Sequence, residues 1–299
     1  MTGARGIALL LAAVLMMSGC AEEEPSTGVV PLSTTPTPTP LPSSPTPSAT
    51  PPPSSPTPST PTPSGRPGES HNSNLMPIVD HGPRDQKRVA LTFDADLTAV
   101  MRKRLLSGKV TSYYNAQLIT ELRTLKVPAT MFLTGMWMEQ YPQVTRELAG
   151  DPLFELGTHT YDHRAFTKHC YTLGTVPRAE MLADVQKAVK QLDQLDRQAT
   201  RWFRFPGGCY DGTALHELAP AGVTAVGLDV PGADGFAKSP KPIIKQVLSH
   251  VQNGSIVVLH MHGGDNAPYT DEAVVPIVKE LRARGFQLVT VTQLMNGNR

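Results

Sequence analysis

The chain has 299 residues, of which 39% are hydrophobic, an ordinary share for a globular protein. Its 27 lysines and arginines nearly balance its 26 aspartates and glutamates, so the formal net charge at pH 7 is +1. Nucleic-acid-binding proteins usually carry a clear basic excess, and we therefore expect no nucleic-acid partner.

The first nineteen residues have the pattern of a secretory signal peptide. Arg5 supplies the positive charge, and the apolar stretch from Gly6 to Met17 is shorter than the roughly 20 residues that a membrane-spanning helix needs. Small residues directly precede Cys20, which resembles the lipobox of bacterial lipoproteins. The expectation is a diacylglycerol on Cys20 that anchors the protein to the outer face of the cell membrane. The alternative is an ordinary signal peptide with an incidental cysteine.

Residues 20–70 follow as a predicted linker. Between Pro25 and Gly68 the chain consists mainly of proline, serine and threonine. Such a segment cannot bury enough apolar surface to offset its ordering entropy, so a disordered, extended chain is expected. At ~3.1 Å per residue it reaches on the order of 100 Å. This reach suits a target at some distance from the membrane, such as the cell wall. The alternative is a linker that only separates two parts of the protein, which would have the same composition.

Beyond residue 85, short apolar runs alternate with helix-like segments. The runs are near-continuously apolar, as in strands buried on both faces of a parallel sheet. They cover residues 88–93, 129–134, 154–158, 202–205, 224–227, 255–260 and 287–291. Helical spacing of apolar residues covers 115–126, 180–195 and 271–284, with Gly285 at the expected C-cap. The alternation predicts an α/β fold, either a βα-barrel or an open doubly wound sheet, with functional groups at the carboxyl ends of the strands.

Four of the seven predicted strands end in a carboxylate, an imidazole, a guanidinium or a glycine-rich turn. These residues are Asp94 and Asp96 after the first run, His159 and His163 after the third, Arg204 and Gly207 in and after the fourth, and His260 and His262 after the sixth. Their position at one edge of the sheet predicts a common site.

The histidine pair His159 and His163 has the H-x3-H spacing that lets two imidazoles reach one ion. The spacing alone is weak, but a strand-end aspartate would supply a third ligand, and a second, unbound carboxylate would serve as a base. An Asp-x-Asp sequence is also common in turns. A charge such as Arg204 on an apolar strand needs an acidic partner, either at the site, such as Asp94, or in a structural ion pair.

His260 ends a buried strand and is a candidate general acid. His262 lies two residues further on and competes for that role. A core histidine with satisfied hydrogen bonds is the alternative for each.

Taken in order, these residues resemble the motifs of the polysaccharide deacetylase family, also called carbohydrate esterase family 4 or the NodB homology domain. The resemblance covers about residues 86–296. T-F-D-A-D at 92–96 resembles T-F-D-D with one residue inserted, and H-T-Y-D-H at 159–163 matches H-[ST]-x-x-H. R-F-P-G at 204–207 resembles R-x-P-Y without its aromatic, Asp234 stands at the fourth motif, and V-L-H at 258–260 resembles L-x-H.

The resemblance implies a distorted (β/α)7 barrel that removes N-acetyl groups from N-acetylglucosamine units of an extracellular polysaccharide, peptidoglycan or chitin-like, and releases acetate. It implies a divalent metal, Zn2+ in most members, with Co2+ or another divalent ion as alternatives. It assigns the metal to Asp96, His159 and His163, the base to Asp94, the acid to His260, supporting roles to Arg204 and Asp234, and an oxyanion-binding backbone N–H to Gly207.

Three departures from the motifs leave alternatives open. The inserted Ala95 makes either Asp94 or Asp96 a candidate for the ligand position, and the third and fourth motifs lack their aromatic residues. An O-acetyl ester hydrolase acting on acetylated xylan would use the same residues. A degenerate barrel would instead be a non-catalytic wall-binding lipoprotein.

Two further expectations concern assembly. Cys170 and Cys209 follow the second and third motifs, and outside the cytoplasm two cysteines on loops of one barrel face are expected to form a disulfide. The protein is expected to be a monomer.

Overall fold

The computed structural model of the chain describes residues 74–297. The predicted signal peptide, the predicted lipidation at Cys20 and the whole of the predicted linker lie outside the described residues. Within residues 74–297, no helix is both long enough and apolar enough to cross a membrane.

Nine parallel strands form one curled sheet, an open half-barrel with helices around it, in agreement with the predicted (β/α)7 class. The strands are β1 (Ile78–Val79), β2 (Arg88–Ala95), β3 (Ala129–Leu133), β4 (Phe154–Thr158), β5 (Trp202–Phe203), β6 (Thr224–Val226), β7 (Val230–Pro231), β8 (Ser255–His260) and β9 (Gln287–Val289). Their order in the sheet is β1-β6-β5-β4-β3-β2-β8-β7, and β9 also pairs with β2.

Strand β2 is the centre of this sheet. All eight of its residues are buried, as expected for a parallel strand covered on both faces. It pairs with β8 along most of its length, with β9 at its first three residues and with β3 at its last four. Asp94 is therefore in register with His260 of β8, and the two strands end at the same edge of the sheet.

The described residues contain nine α-helices, of which the apolar spacing predicted three, now α2, α5 and α8. The helices are α1 (Ala99–Leu106), α2 (Ala116–Thr124), α3 (Gly135–Gln140), α4 (Pro142–Ala149), α5 (Met181–Leu195), α6 (Gly212–Leu218), α7 (Pro240–His250), α8 (Thr270–Ala283) and α9 (Val291–Asn296). Five of the six that were not predicted have eight residues or fewer, so they span too few turns to show a long apolar repeat.

Two predicted strands end two residues earlier in the structure because side-chain capping and loop geometry end them. The run at 287–291 ends at Val289, where Thr290 becomes the N-cap of α9 in a capping box with Gln293. The run at 202–205 ends at Phe203, since the chain then turns through Pro206. Gly285 lies just after α8 with φ of +81°, the left-handed conformation that a C-terminal cap favours.

Candidate active site

The carboxyl ends of β2, β4 and β8 bring the predicted site residues together. Asp96 lies at the centre of this cluster, with four imidazole Nε2 atoms around its carboxylate. Its oxygens lie 3.5 Å from His159, 3.4 Å from His163, 3.3 Å from His262 and 4.0 Å from His260. The residue that follows the inserted alanine therefore reaches the histidines.

The insertion itself explains why two carboxylates face the site. Successive side chains of an extended chain point to opposite faces, so residues two apart share a face. Ala95 is fully buried in the main hydrophobic core, while Asp94 and Asp96 both line the cleft. With two adjacent aspartates on a strand, the side chains would alternate instead.

The loop from His159 to His163 is held in an unusual backbone conformation that aims both imidazoles at Asp96. Thr160 and His163 have φ of +67° and +63°, which L-residues seldom adopt. Thr160 stabilises the turn by accepting a hydrogen bond from the His163 N–H at 3.0 Å. Asp184 of α5 accepts one from the Tyr161 N–H, also at 3.0 Å. Helix α5 therefore holds the 159–163 loop in place through this hydrogen bond to Asp184.

Arg204 is fully buried and pairs with Asp94, as one of the two sequence interpretations expected. Its guanidinium donates to Asp94 Oδ1 and to Thr92 Oγ1, each at 2.8 Å, and lies over the ring of Phe132 at 4.1 Å. Burial lowers the pKa of Arg204, and the Asp94 carboxylate works against that effect. Because Oδ1 is engaged in this way, Oδ2 is the Asp94 oxygen that faces His159, at 3.7 Å from its Nε2.

His260 is held by Asp234, which comes from a short turn before α7. Its Nδ1 lies 2.8 Å from Asp234 Oδ1, and the other carboxylate oxygen accepts from the His260 N–H and from Thr270 Oγ1. Burial alone would lower the pKa of His260, but the carboxylates of Asp234, Asp96 and Asp94 together outweigh burial and raise the pKa to about 10. The pKa of Asp234 is lowered, because His260 and these hydrogen bonds overcome the effect of burial.

The chemistry of the donor atoms fits a divalent cation. His159 Nδ1 lies 2.7 Å from the Arg204 carbonyl, an acceptor, so Nδ1 donates to it and Nε2 is the ring nitrogen that faces Asp96. Burial lowers the pKa of His163 to about 4, which keeps that imidazole in the neutral, ligating form. Asp96 Oδ1 is buried and has no hydrogen-bond partner among the described residues. Burial alone would raise the pKa of Asp96, yet His163 and His262 hold it well below 3.8. Asp96, His159 and His163 form a set whose ligand atoms lie within 4.8 Å of one another.

Residues 81–226 match the family model described as polysaccharide deacetylase. The chain belongs to the polysaccharide deacetylase family. Members of this class are hydrolases that act on linear amide bonds other than peptide bonds.

Curated relatives of this polysaccharide deacetylase include proteins from two Bacillus species. It is 24% identical over 215 residues to a peptidoglycan-N-acetylglucosamine deacetylase of Bacillus cereus, covering 71% of this chain and 90% of that one. It is 26% identical over 186 residues to the uncharacterised protein YlxY of Bacillus subtilis, covering 62% of this chain but only 54% of that protein.

Solved structures show the same fold. The peptidoglycan N-acetylglucosamine deacetylase Bc1960 superposes with a TM-score of 0.63 at 23% identity, over 75% of this chain and 94% of that one. A pseudoenzyme of carbohydrate esterase family 4 from Bacillus anthracis superposes with a TM-score of 0.58 at 21% identity, over 73% and 68% of the two chains.

The loops of the second and third motifs are tied together beside the cleft of this deacetylase. Cys170 and Cys209 form a disulfide bond. Gly207 lies next to it with φ of +60°, and a Cβ at this position would come within 2.8 Å of the Cys170 sulfur. The close approach and the left-handed backbone together explain a glycine where the motif resemblance led us to expect an aromatic residue.

Sequence reasoning missed two features of the site. Asp184 supports the loop of the second motif from outside the motif positions. Thr92 lies within the first motif, but its hydrogen bond from Arg204 depends on a contact between distant segments. The rim of the cleft carries Tyr171 and Phe236, which are 74% and 75% exposed with ring centroids 6.3 Å apart. Phe236 follows Gly235 where the family resemblance led us to look for a tryptophan, and Tyr171 approaches from the loop after the second motif.

Proposed function

We propose that this chain hydrolyses N-acetyl groups of N-acetylglucosamine units in an extracellular polysaccharide, either peptidoglycan or a chitin-like polymer, and releases acetate. One observation carries the proposal. A set of ligands for a divalent ion, Asp96, His159 and His163, adjoins both a carboxylate oriented by an arginine and an imidazole oriented by a carboxylate. We propose Zn2+ as the ion, because imidazole nitrogen and carboxylate oxygen are ligands that suit it.

A divalent cation bound by the three ligands would polarise the acetyl carbonyl and lower the pKa of water. Asp94 then takes a proton from the attacking water through Oδ2, while Arg204 holds Oδ1. A carbon–oxygen bond forms to the acetyl carbon, and the carbon–nitrogen bond breaks. His260 donates its Nε2 proton to the leaving nitrogen, and Asp234 keeps the imidazole protonated and correctly turned. The backbone N–H at Gly207 is proposed to donate to the developing oxyanion.

The open rim of the cleft supports a sugar polymer as substrate. Exposed aromatic faces offer apolar surface at the edge of a polar site, and Tyr171 and Phe236 provide two such faces above the catalytic residues. Relatives named as deacetylases of peptidoglycan and of chitooligosaccharides support the same substrate class.

We further propose that the protein acts outside the cytoplasm as a monomer, anchored to the outer face of the cell membrane through lipid on Cys20. The disulfide between Cys170 and Cys209 supports an oxidising compartment. A membrane anchor followed by a long linker would let the catalytic domain reach the cell wall.

Acetate release from N-acetylglucosamine oligomers, from peptidoglycan and from acetylated xylan tests the function, each with and without a chelator. We expect release from the amide substrates that stops on chelation and returns with Zn2+. Preferential release from acetylated xylan would replace the proposal with the ester hydrolase. No release from any of the three would favour the wall-binding lipoprotein.

Two variants test the assigned roles. Asp94→Asn should lose about 10²- to 10⁴-fold in turnover while keeping its metal, because it removes the base but no ligand. His159→Ala should lose both metal and turnover. His216→Ala is a matched control, since His216 lies at the surface with a side chain 59% exposed. Full activity in Asp94→Asn would show that the base assignment is wrong.

A further inference from the structure

Asp96 belongs to two sets of potential metal ligands. One is the set with His159 and His163. The other consists of Asp96, His260 and His262, whose ligand atoms also lie within 4.8 Å of one another. The five residues form two triads that share one carboxylate. A carboxylate offers about four lone-pair positions, so a single aspartate can serve two ions at once.

The second triad arises from the pairing of two neighbouring strand ends with the same pattern. Asp94 and Ala95 end β2 and Asp96 follows it, while His260 ends β8 and Met261 and His262 follow it. The ladder between them extends past the strand ends, since the Met261 N–H donates to the Asp94 carbonyl at 2.8 Å. Ala95 and Met261 are fully buried in the main core. The flanking carboxylates and imidazoles therefore point to the opposite side, into the cleft.

Hydrogen bonds at the far side of each ring orient the second triad toward Asp96. His260 Nδ1 lies 2.8 Å from Asp234 Oδ1, and His262 Nδ1 lies 3.2 Å from the Gly263 carbonyl. Both Nε2 atoms thus face Asp96 Oδ2, at 4.0 and 3.3 Å. Such outer partners are what metal-binding histidines usually have. His262 is only 2% exposed, and the proposed reaction gives it no step.

We propose that Asp96, His260 and His262 form a second divalent-cation site, and that filling it inhibits the enzyme. The ligand set of two imidazole nitrogens and one carboxylate oxygen suits Zn2+ or Co2+. An ion there displaces the proton from His260 Nε2, and this is the proton that the imidazole must deliver to the leaving nitrogen. Inhibition rests on the proposed function, whereas binding of the second ion does not.

Metal stoichiometry tests the site without any substrate. Chelator-stripped protein is titrated with Co2+ and followed by visible absorption, and with Zn2+ and followed by calorimetry. The wild type should bind two ions per chain, and His262→Asn should bind one. The asparagine amide can still donate to the Gly263 carbonyl but has no atom at the Nε2 position. His260→Asn, which can keep a bond to Asp234, should also bind one ion, and the surface control His216→Ala should bind two.

Acetate release as a function of Zn2+ tests the inhibition. Wild-type activity should rise with the first equivalent and fall with excess, whereas the activity of His262→Asn should rise and not fall. Circular dichroism before titration shows that each variant is folded, and the two asparagine variants reach the same site independently. One ion in the wild type, two ions in both asparagine variants, or loss of all binding in both would overturn the second site. If the stoichiometry is as expected but no zinc concentration yields acetate, the proposed function fails and the second site stands.

Discussion

Asp184 is a buried carboxylate whose ionisation should cost the protein stability at neutral pH. It lies on α5, is 8% exposed, and accepts the Tyr161 N–H between the two histidines of the second motif. Burial raises its pKa from 3.8 to about 6, although the bond from Tyr161 and the nearby Arg164 act in the opposite direction. The environment of Asp184 thus favours the neutral acid.

The sign of the pH dependence follows from this shift. The folded chain binds the proton more tightly than the unfolded chain, so the contribution to stability is full below about pH 4 and is lost as the pH rises through about 6. The difference between 3.8 and about 6 corresponds to about 3 kcal/mol. Asp184→Asn removes the charge but keeps an acceptor for Tyr161. We therefore expect the variant to gain up to about 3 kcal/mol over the wild type at neutral pH and nothing below about pH 4.

Urea unfolding of both proteins across about pH 4 to 8 measures this difference directly. Asp193→Asn is the matched control, because Asp193 lies on the same helix in a surface pair with Arg201. Its unfolding free energy should follow that of the wild type at each pH. A difference between Asp184→Asn and the wild type that stays constant across this range would refute the reasoning.

Three other changes have defined outcomes. Arg204→Met leaves the Asp94 carboxylate buried and unpaired, so the unfolding free energy measured in urea with chelator should fall by about 3–5 kcal/mol. Adding Asp94→Asn to the same chain should restore part of that loss. Reduction of the Cys170–Cys209 disulfide, which spans a sequence separation of 39, should lower the unfolding free energy by up to about 4 kcal/mol, measured with and without reductant. Gly207→Ala should lower the thermal midpoint, because it forces a Cβ into a left-handed backbone position against the disulfide; an unchanged midpoint would contradict this account.

The local pattern of apolar and polar residues was sufficient to predict the fold class and the edge of the sheet that carries the site. Strands buried on both faces need near-continuous apolar runs, and β2 is such a run along all the residues that precede Asp94. Short elements such as β1, β7 and α3 escaped prediction because two to six residues show no clear period.

The amino-acid sequence by itself determined which residues gather at the strand ends, because parallel strands align their carboxyl ends whatever their order. It could not decide between Asp94 and Asp96 as the residue nearest the histidines. That choice depended on the extended backbone continuing through Ala95, because the carboxylates of Asp94 and Asp96 then lie on the same face. It also depended on Arg204, which pairs with the Asp94 carboxylate. The pairing of β2 with β8, distant in the chain, likewise placed His262 against Asp96. Contacts of this kind depend on register between remote segments, which only the tertiary structure sets.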